Sequence, residues 1–150
     1  AFSDQVRDQP CRRHVKGRVA GACALGRQAY FRHAALRVQA LDVALAQAQQ
    51  KGETVMLDFY ADWCVACKEY ETFTFSNPEV KSRLGKVRLL QADVTANSAE
   101  DKALLKRFSL FGPPGIVFFD GASAAKVTHK VIGYQAPADF LASLSSAAVH

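Results

Sequence analysis

The chain has 150 residues, of which 49% are hydrophobic, so it is long enough to bury one core and fits one globular domain better than two. Its net charge of +5 is concentrated in residues 1–37, where eight Lys or Arg face two Asp; the remainder carries eleven basic and twelve acidic side chains. The basic part has no interleaved aromatic residues and no nucleic-acid motif, which argues against a nucleic-acid partner. No apolar run approaches the roughly 18 residues of a membrane-spanning helix, so we expect a soluble domain.

Residues 1–29 show neither helical nor strand periodicity, and we interpret them as a linker or poorly ordered basic extension. The stretch VKGRVAGACALG within them is too short and too interrupted by Gly to be a signal peptide. Cys11 and Cys23 also lie there, either as free thiols or as a second disulfide, and the sequence does not decide between the two. Residues 30–150 form the predicted domain.

This domain shows strand and helix patterns that alternate along the chain. Residues 30–34 are compatible with a short strand, and apolar residues recur at helical spacing from Val38 until Gly52. We then predict strands at residues 54–60, 86–94, 116–119 and 126–132, and helices at 63–73, 78–83, 98–108 and 136–146. The alternation is typical of an α/β fold with a parallel sheet and helices on both faces, to which the final hairpin adds antiparallel edge strands.

Cys64 and Cys67 are separated by only two residues and follow a predicted buried strand at the start of a helix. The free N–H groups and the macrodipole of a helix N-terminus favour a thiolate at the first cysteine. Cys64 is therefore predicted to be the exposed nucleophile. Cys67, one helical turn further on, is placed to attack a mixed disulfide and release the partner. The spacing favours a redox couple.

Two other roles for the pair remain open. A structural zinc site uses four protein ligands, and the chain has no second C-x-x-C; the best partner, Cys11 with His14, lies in the unpatterned extension. We predict no metal. A purely structural disulfide between cysteines three positions apart would close a very small ring, which removes little entropy from the unfolded chain.

Several motifs together resemble a known family. The W-C-x-x-C after a strand, a Pro before a strand about fifty residues later, and the order of elements are similar to the thioredoxin fold. More narrowly, YADWCVACKEYE, LLQADVTAN and GPPGIVFFDG resemble the C-terminal, thioredoxin-like periplasmic domains of the DsbD family of thiol:disulfide interchange proteins. The resemblance spans roughly residues 31–145. It implies a thioredoxin fold, with a central mixed sheet, helices on both faces and an irregular N-terminal extension.

The resemblance also implies a function. The chain would be a protein-disulfide reductase in the bacterial periplasm, as a soluble domain of an inner-membrane protein. It would take electrons from a membrane-embedded domain of the same protein and pass them to an N-terminal periplasmic domain, which reduces disulfide isomerases and cytochrome c maturation factors. The exchange needs no cofactor. The alternatives are a free-standing thioredoxin-like reductase and a non-catalytic metal-binding or interaction module.

Further site residues follow from the same resemblance. Pro114 aligns with the proline that thioredoxin-like proteins hold in cis beside the disulfide. Pro113 before it departs from the usual pattern, because it has no N–H to donate to a bound partner; its carbonyl remains available. Trp63 is predicted to shield the site and offer contact surface, unless it is a core residue. Val65 and Ala66 predict an apolar rim for docking.

Two carboxylates are candidates for tuning the pKa of the thiols. In thioredoxin-like proteins an acid at the position of Asp58 lies beneath the pair. Glu71 shares a helix face with both cysteines, at the seventh position after Cys64, although it also fits a solvated surface charge. Negative charge nearby opposes a thiolate, and a less stabilised dithiol form means a more reducing couple. We therefore predict a reductase.

Overall fold

The computed structural model describes residues 38–122 and 126–149, and within them the predicted helices and strands are present in the predicted order. The helices are α1 (Val38–Lys51), α2 (Val65–Glu69), α3 (Pro78–Leu84), α4 (Ala99–Arg107) and α5 (Pro137–Ser146), and a π-helix (Tyr70–Thr74) continues α2. The strands are β1 (Val55–Tyr60), β2 (Arg88–Asp93), β3 (Gly115–Phe119) and β4 (Val127–Ile132). The interpretation of residues 1–29, the strand predicted at 30–34, and the state of Cys11 and Cys23 lie outside the described residues.

The four described strands form one mixed sheet in the order β2-β1-β3-β4. β1 pairs parallel with β2, whereas β3 is antiparallel to both β1 and β4. The predicted fold class is confirmed, but the expectation that both strands of the final hairpin lie at the edge is wrong for β3. All five residues of β3 are buried, and so apolar a strand is best covered between two neighbouring strands.

Helices cover both faces of the sheet, as predicted, and each face has its own apolar core. On one face, Leu41 and Leu45 of α1 and Leu104 of α4 join the same cluster as Leu57 and Phe59 of β1. On the other face, Met56 of β1 belongs to a cluster with residues of the π-helix, α3, β3 and α5, among them Tyr70, Val80, Phe118, Phe140 and Leu144. Successive residues of β1 thus point to opposite faces, as the two-residue period of a strand requires.

Local side-chain contacts fix the ends of the helices. The Ser98 hydroxyl accepts a hydrogen bond from the Asp101 N–H, and the Asp101 carboxylate accepts one from the Ser98 N–H, so α4 begins with a capping box. Pro78 occupies the first turn of α3, which Asn77 caps. Gly52 ends α1 with a φ of +66°, a left-handed conformation that favours glycine. In residues 38–122 and 126–149, no helix has the length and apolar character needed to cross a bilayer.

Candidate active site

The cysteine pair lies directly after the central strand β1. The chain turns at Ala61, whose carbonyl accepts the Cys64 N–H at 3.0 Å, and Cys64 then caps the start of α2. Cys64 and Cys67 form a disulfide with their Cα atoms 5.3 Å apart. The Cys67 N–H donates to Cys64 Sγ at 3.1 Å, so a backbone donor already points at the sulfur that is predicted to carry the thiolate charge.

Both cysteines are better shielded than the prediction of an exposed nucleophile implies. Cys64 is 5% exposed and Cys67 is 4% exposed. Cys67 Sγ lies 3.9 Å from the carbonyl oxygen of Phe59, and both residues belong to the core on the α1 and α4 face. The chain neighbours of Cys64, Trp63 and Val65, are 58% and 71% exposed. The exposed surface next to the pair is therefore formed by these two residues, and their role in docking stays a prediction.

Asp58 is buried in the middle of β1, and its carboxylate accepts a hydrogen bond from Gln91 Nε2 at 3.1 Å. Burial raises the pKa of Asp58 to about 7; the bond from Gln91 opposes this shift, and the charge of Glu71 adds to it. Asp58 is thus a core residue and not an exposed residue at the end of the strand. Gln91 was missed by the sequence analysis, because its position directly opposite Asp58 depends on the register of β1 against β2.

Glu71 lies in the π-helix and is partly buried, with its Oε1 atom fully covered. Its charge raises the pKa of Asp58, so the structure brings the two predicted carboxylates within electrostatic reach of each other. A freely solvated Glu71 does not fit this position. Whether the two carboxylates tune the thiols remains a prediction.

A loop that the sequence analysis did not connect to the site holds the residues just before Cys64. The Asp62 N–H donates to Thr95 Oγ1 at 2.9 Å, and the indole N–H of Trp63 donates to the Thr95 carbonyl at 3.1 Å. Thr95 Oγ1 in turn bonds Asp93. The contact arises because β1 and β2 are parallel neighbours, so the loops at their carboxyl ends meet. The motif LLQADVTAN contained these residues, but only the strand pairing reveals their role.

The other predicted docking residues lie on the loop before β3. Gly115 is the register partner of Phe59, so Pro113 and Pro114 come next to the end of β1, where the cysteine loop begins. The Pro113–Pro114 peptide bond is cis, as the resemblance implied. Ala66 is partly buried against the core, in contrast to Val65. Phe111, on the same loop, is fully exposed; no sequence pattern distinguishes it from a core residue, and the sequence analysis missed it.

Because Trp63 is 58% exposed, it is a surface residue and not a core tryptophan.

Within residues 38–122 and 126–149, His, Cys, Asp and Glu side chains form no group of three or more that could hold a metal ion. The pair in that part of the chain is a disulfide.

Comparison with known proteins defines the class. A family model described as thioredoxin-like matches residues 37–121, which include Asp58, the cysteine pair and Pro114. With the mixed sheet and the C-x-x-C disulfide at a helix start, this match places the chain in the thioredoxin-like class.

Two crystal structures of the C-terminal domain of Neisseria meningitidis DsbD narrow the class. The oxidised form is 38% identical, with a TM-score of 0.58 over 69% of this chain and 86% of that chain. The reduced form is 35% identical, with a TM-score of 0.63 over 75% of this chain and 96% of that chain. The chain belongs to the family of DsbD C-terminal domains.

A full-length relative shows how much of such a protein the chain represents. The thiol:disulfide interchange protein DsbD of Ralstonia nicotianae is 54% identical over 110 residues, which are 73% of this chain. They are 18% of the relative's length. The chain thus spans less than a fifth of this curated relative.

Proposed function

We propose that this domain is the reducing link of an electron relay in the bacterial periplasm. It receives two electrons from a membrane-embedded domain of the same protein and passes them to an N-terminal periplasmic domain. The name of the relatives, thiol:disulfide interchange protein, supports exchange chemistry, and their greater length leaves room for donor and acceptor domains. One observation supports this direction of electron transfer. The carboxyl group of Asp58 is buried within electrostatic reach of Glu71, which lies on the π-helix that follows the cysteine pair.

The exchange proceeds in two balanced steps. The Cys64 thiolate attacks one sulfur of the partner disulfide; that bond breaks, a mixed disulfide forms, and the partner's leaving sulfur takes a proton. Cys67 then loses its proton, attacks Cys64 Sγ and restores the Cys64–Cys67 disulfide while the partner leaves as a dithiol. We assign the proton of Cys67 to Asp58, because a carboxyl with a pKa of about 7 exchanges protons near neutral pH.

The carboxylates explain why electrons leave this pair. A strong oxidant owes its potential to a stabilised thiolate in the reduced form. Here Val65 and Ala66 supply no cation between the cysteines, and two carboxyl groups oppose negative charge on sulfur. The reduced pair is therefore poorly stabilised, and it gives up its electrons readily.

The reduction potential of the pair tests the direction. The chain is equilibrated with glutathione or dithiothreitol mixtures, and the redox state is read from the fluorescence of Trp63, the single tryptophan. We expect a value more negative than about −200 mV. Asp58→Asn and Glu71→Gln are expected to move it towards oxidising values, whereas the control Glu100→Gln, at an exposed position on α4, leaves it unchanged. A wild-type value near −120 mV, that of a strong oxidant, would refute the proposal.

Trapping tests the partners and the order of attack. A Cys67→Ser variant cannot resolve the mixed disulfide, so it should accumulate one with the N-terminal domain of a DsbD protein, whereas Cys64→Ser should not. A free-standing reductase would trap unrelated proteins in preference to that domain. A metal-binding or interaction module would not cycle between zero and two titratable thiols at the pair on mild reduction and reoxidation.

A further inference from the structure

The π-helix that follows the cysteines places two hydroxyl groups on the segment after β4. The Tyr70 hydroxyl donates to the Gly133 carbonyl at 2.7 Å, and Thr74 Oγ1 donates to the Gln135 carbonyl at 2.7 Å. Both side chains are buried. π-Helices are rare and occur frequently at functional sites, so the element that carries these contacts is unusual in its own right.

Gly133 connects the π-helix to the proline loop. Its carbonyl accepts from Tyr70, and its N–H donates to the Pro114 carbonyl at 3.1 Å. Gly133 has a φ of +82°, a conformation that residues with a side chain rarely adopt. Gly133 therefore lies between the π-helix and the cis peptide bond: its carbonyl accepts from the Tyr70 side chain, and its N–H donates to the Pro114 backbone.

The ring of Tyr70 is held independently of its hydroxyl. It stacks on Phe75 with centroids 5.1 Å apart and makes edge contacts with Tyr134 at 5.2 Å and Phe140 at 5.9 Å. Burial raises the pKa of the Tyr70 hydroxyl, so it remains a donor at every physiological pH. Removal of the oxygen alone thus separates the backbone hydrogen bonds of Tyr70, to Gly133 and with Gln135, from the packing of the core.

We propose that Tyr70 and Thr74 are positioning residues, which fix the backbone of Pro113 and Pro114 at the distance from the disulfide that a polypeptide substrate requires. The inference rests on the exchange reaction proposed above. Pro113 offers a bound chain only its carbonyl, since proline has no N–H, so this one acceptor has to be accurately placed. A disulfide that carries polypeptide on both sides uses the acceptor, whereas a small disulfide does not.

Two substrates separate positioning from thiol chemistry. The reduced chain is mixed either with a disulfide-bonded peptide that has several residues on each side of its cysteines, or with dithionitrobenzoate, an aromatic disulfide without peptide groups. Single-turnover rates are measured through the fluorescence of Trp63 for the peptide and through released thionitrobenzoate for the small disulfide. Tyr70→Phe and Thr74→Val should each slow the peptide reaction about five-fold, in line with the loss of one hydrogen bond, and change the dithionitrobenzoate rate less than two-fold.

Matched variants complete the test. Thr72→Val removes an exposed hydroxyl of the same π-helix that bonds only the Lys68 carbonyl one turn earlier, and it should keep both rates. Thr74→Ser keeps a donor and should restore most of the peptide rate. The Gly133 amide should exchange with solvent faster in Tyr70→Phe than in the wild type, a readout that does not depend on turnover.

The outcomes are distinct. A Tyr70→Phe variant with an unchanged peptide rate, or one in which both rates fall equally, overturns the positioning role. If Thr74→Val does not fold, Tyr70→Phe with its retained ring decides alone. A wild-type chain that reduces neither probe refutes the exchange reaction itself, and with it the inference.

Discussion

At the scale of single residues, Asp58 is the group most altered by its surroundings. Burial raises its pKa from 3.8 to about 7, so the folded chain keeps a proton that the unfolded chain releases. Stability from this group is present at low pH and is lost as the pH rises from about 4 through 7. Near neutral pH, ionisation of the buried Asp58 therefore lowers the free energy of unfolding, which an uncharged side chain at this position would not do.

Asp58→Asn tests this cost. Asn can still accept the bond from Gln91 and does not ionise, so the variant should match the wild type at pH 4 and exceed its free energy of unfolding by roughly 2 to 4 kcal/mol at pH 8. Denaturant unfolding of the oxidised chain at both pH values measures the difference. Asp139→Asn makes the same replacement at an exposed position on α5 and is the control. A stability difference that is the same at pH 4 and pH 8 would contradict the assignment.

Thr95 provides a second prediction at this scale. Thr95→Val removes the oxygen that accepts the Asp62 N–H and bonds Asp93, and this should destabilise the chain by about 1 kcal/mol. It should also lower the fluorescence anisotropy of Trp63, whose indole is anchored to the same residue. Thr95→Ser should keep both properties. The exposed Thr128→Val on β4 is the matched control, and an unchanged anisotropy in Thr95→Val would show that the Thr95 carbonyl holds Trp63 without help from the Thr95 side chain.

At the scale of elements, the predictable features were those with local causes. Ser98 and Asp101 lie three residues apart, and that spacing alone predicts a helix start, which the capping box confirms. The change from α2 to a π-helix at Tyr70 had no such signal, because apolar spacing predicted one continuous helix to residue 73. Its contacts are with the rings of α5 and the segment after β4, which sequence spacing does not bring together.

The capping box gives the prediction for this scale. Ser98→Ala removes the acceptor for the Asp101 N–H and should lower the free energy of unfolding by about 1 kcal/mol. The rate of disulfide exchange should stay the same: the buried leucines of α4 share a core with the cysteines, but the Ser98 side chain bonds the Asp101 N–H of its own helix and takes no part in that core. Thermal unfolding and the exchange rate with dithionitrobenzoate measure the two effects. A slower exchange rate would mean that the helix start contributes to the site.

At the scale of the whole molecule, the order of the sheet explains what the sequence left open. The alternation of elements predicted the α/β class and both helix layers, but the place of β3 depends on which strand it pairs with after α4. The pairing of β1 with β2 puts Gln91 opposite Asp58, and the pairing of β1 with β3 brings the proline loop to the end of β1. Sequence spacing alone identifies the cysteine pair, whereas the residues around the pair come from three separate parts of the chain that the strand pairing brings together.

The redox state should change the stability of the whole molecule. If the pair is a reducing couple, the folded chain favours the disulfide, so the oxidised form should unfold at a higher temperature than the reduced form. Calorimetry of both forms at pH 7 measures the sign. Cys67→Ser, which cannot form the disulfide, should unfold at the same temperature with and without reductant. A more stable reduced form would indicate an oxidant.

The shielding of the disulfide also affects which molecules can exchange with it. With only 5% and 4% of the two cysteines open to solvent, a small diffusing thiol or oxidant finds little sulfur to attack. A docked protein, in contrast, can align its own sulfur with the disulfide and exclude water during the exchange reaction. The burial of Cys64 thus favours exchange with a docked protein over exchange with small thiols and oxidants in solution.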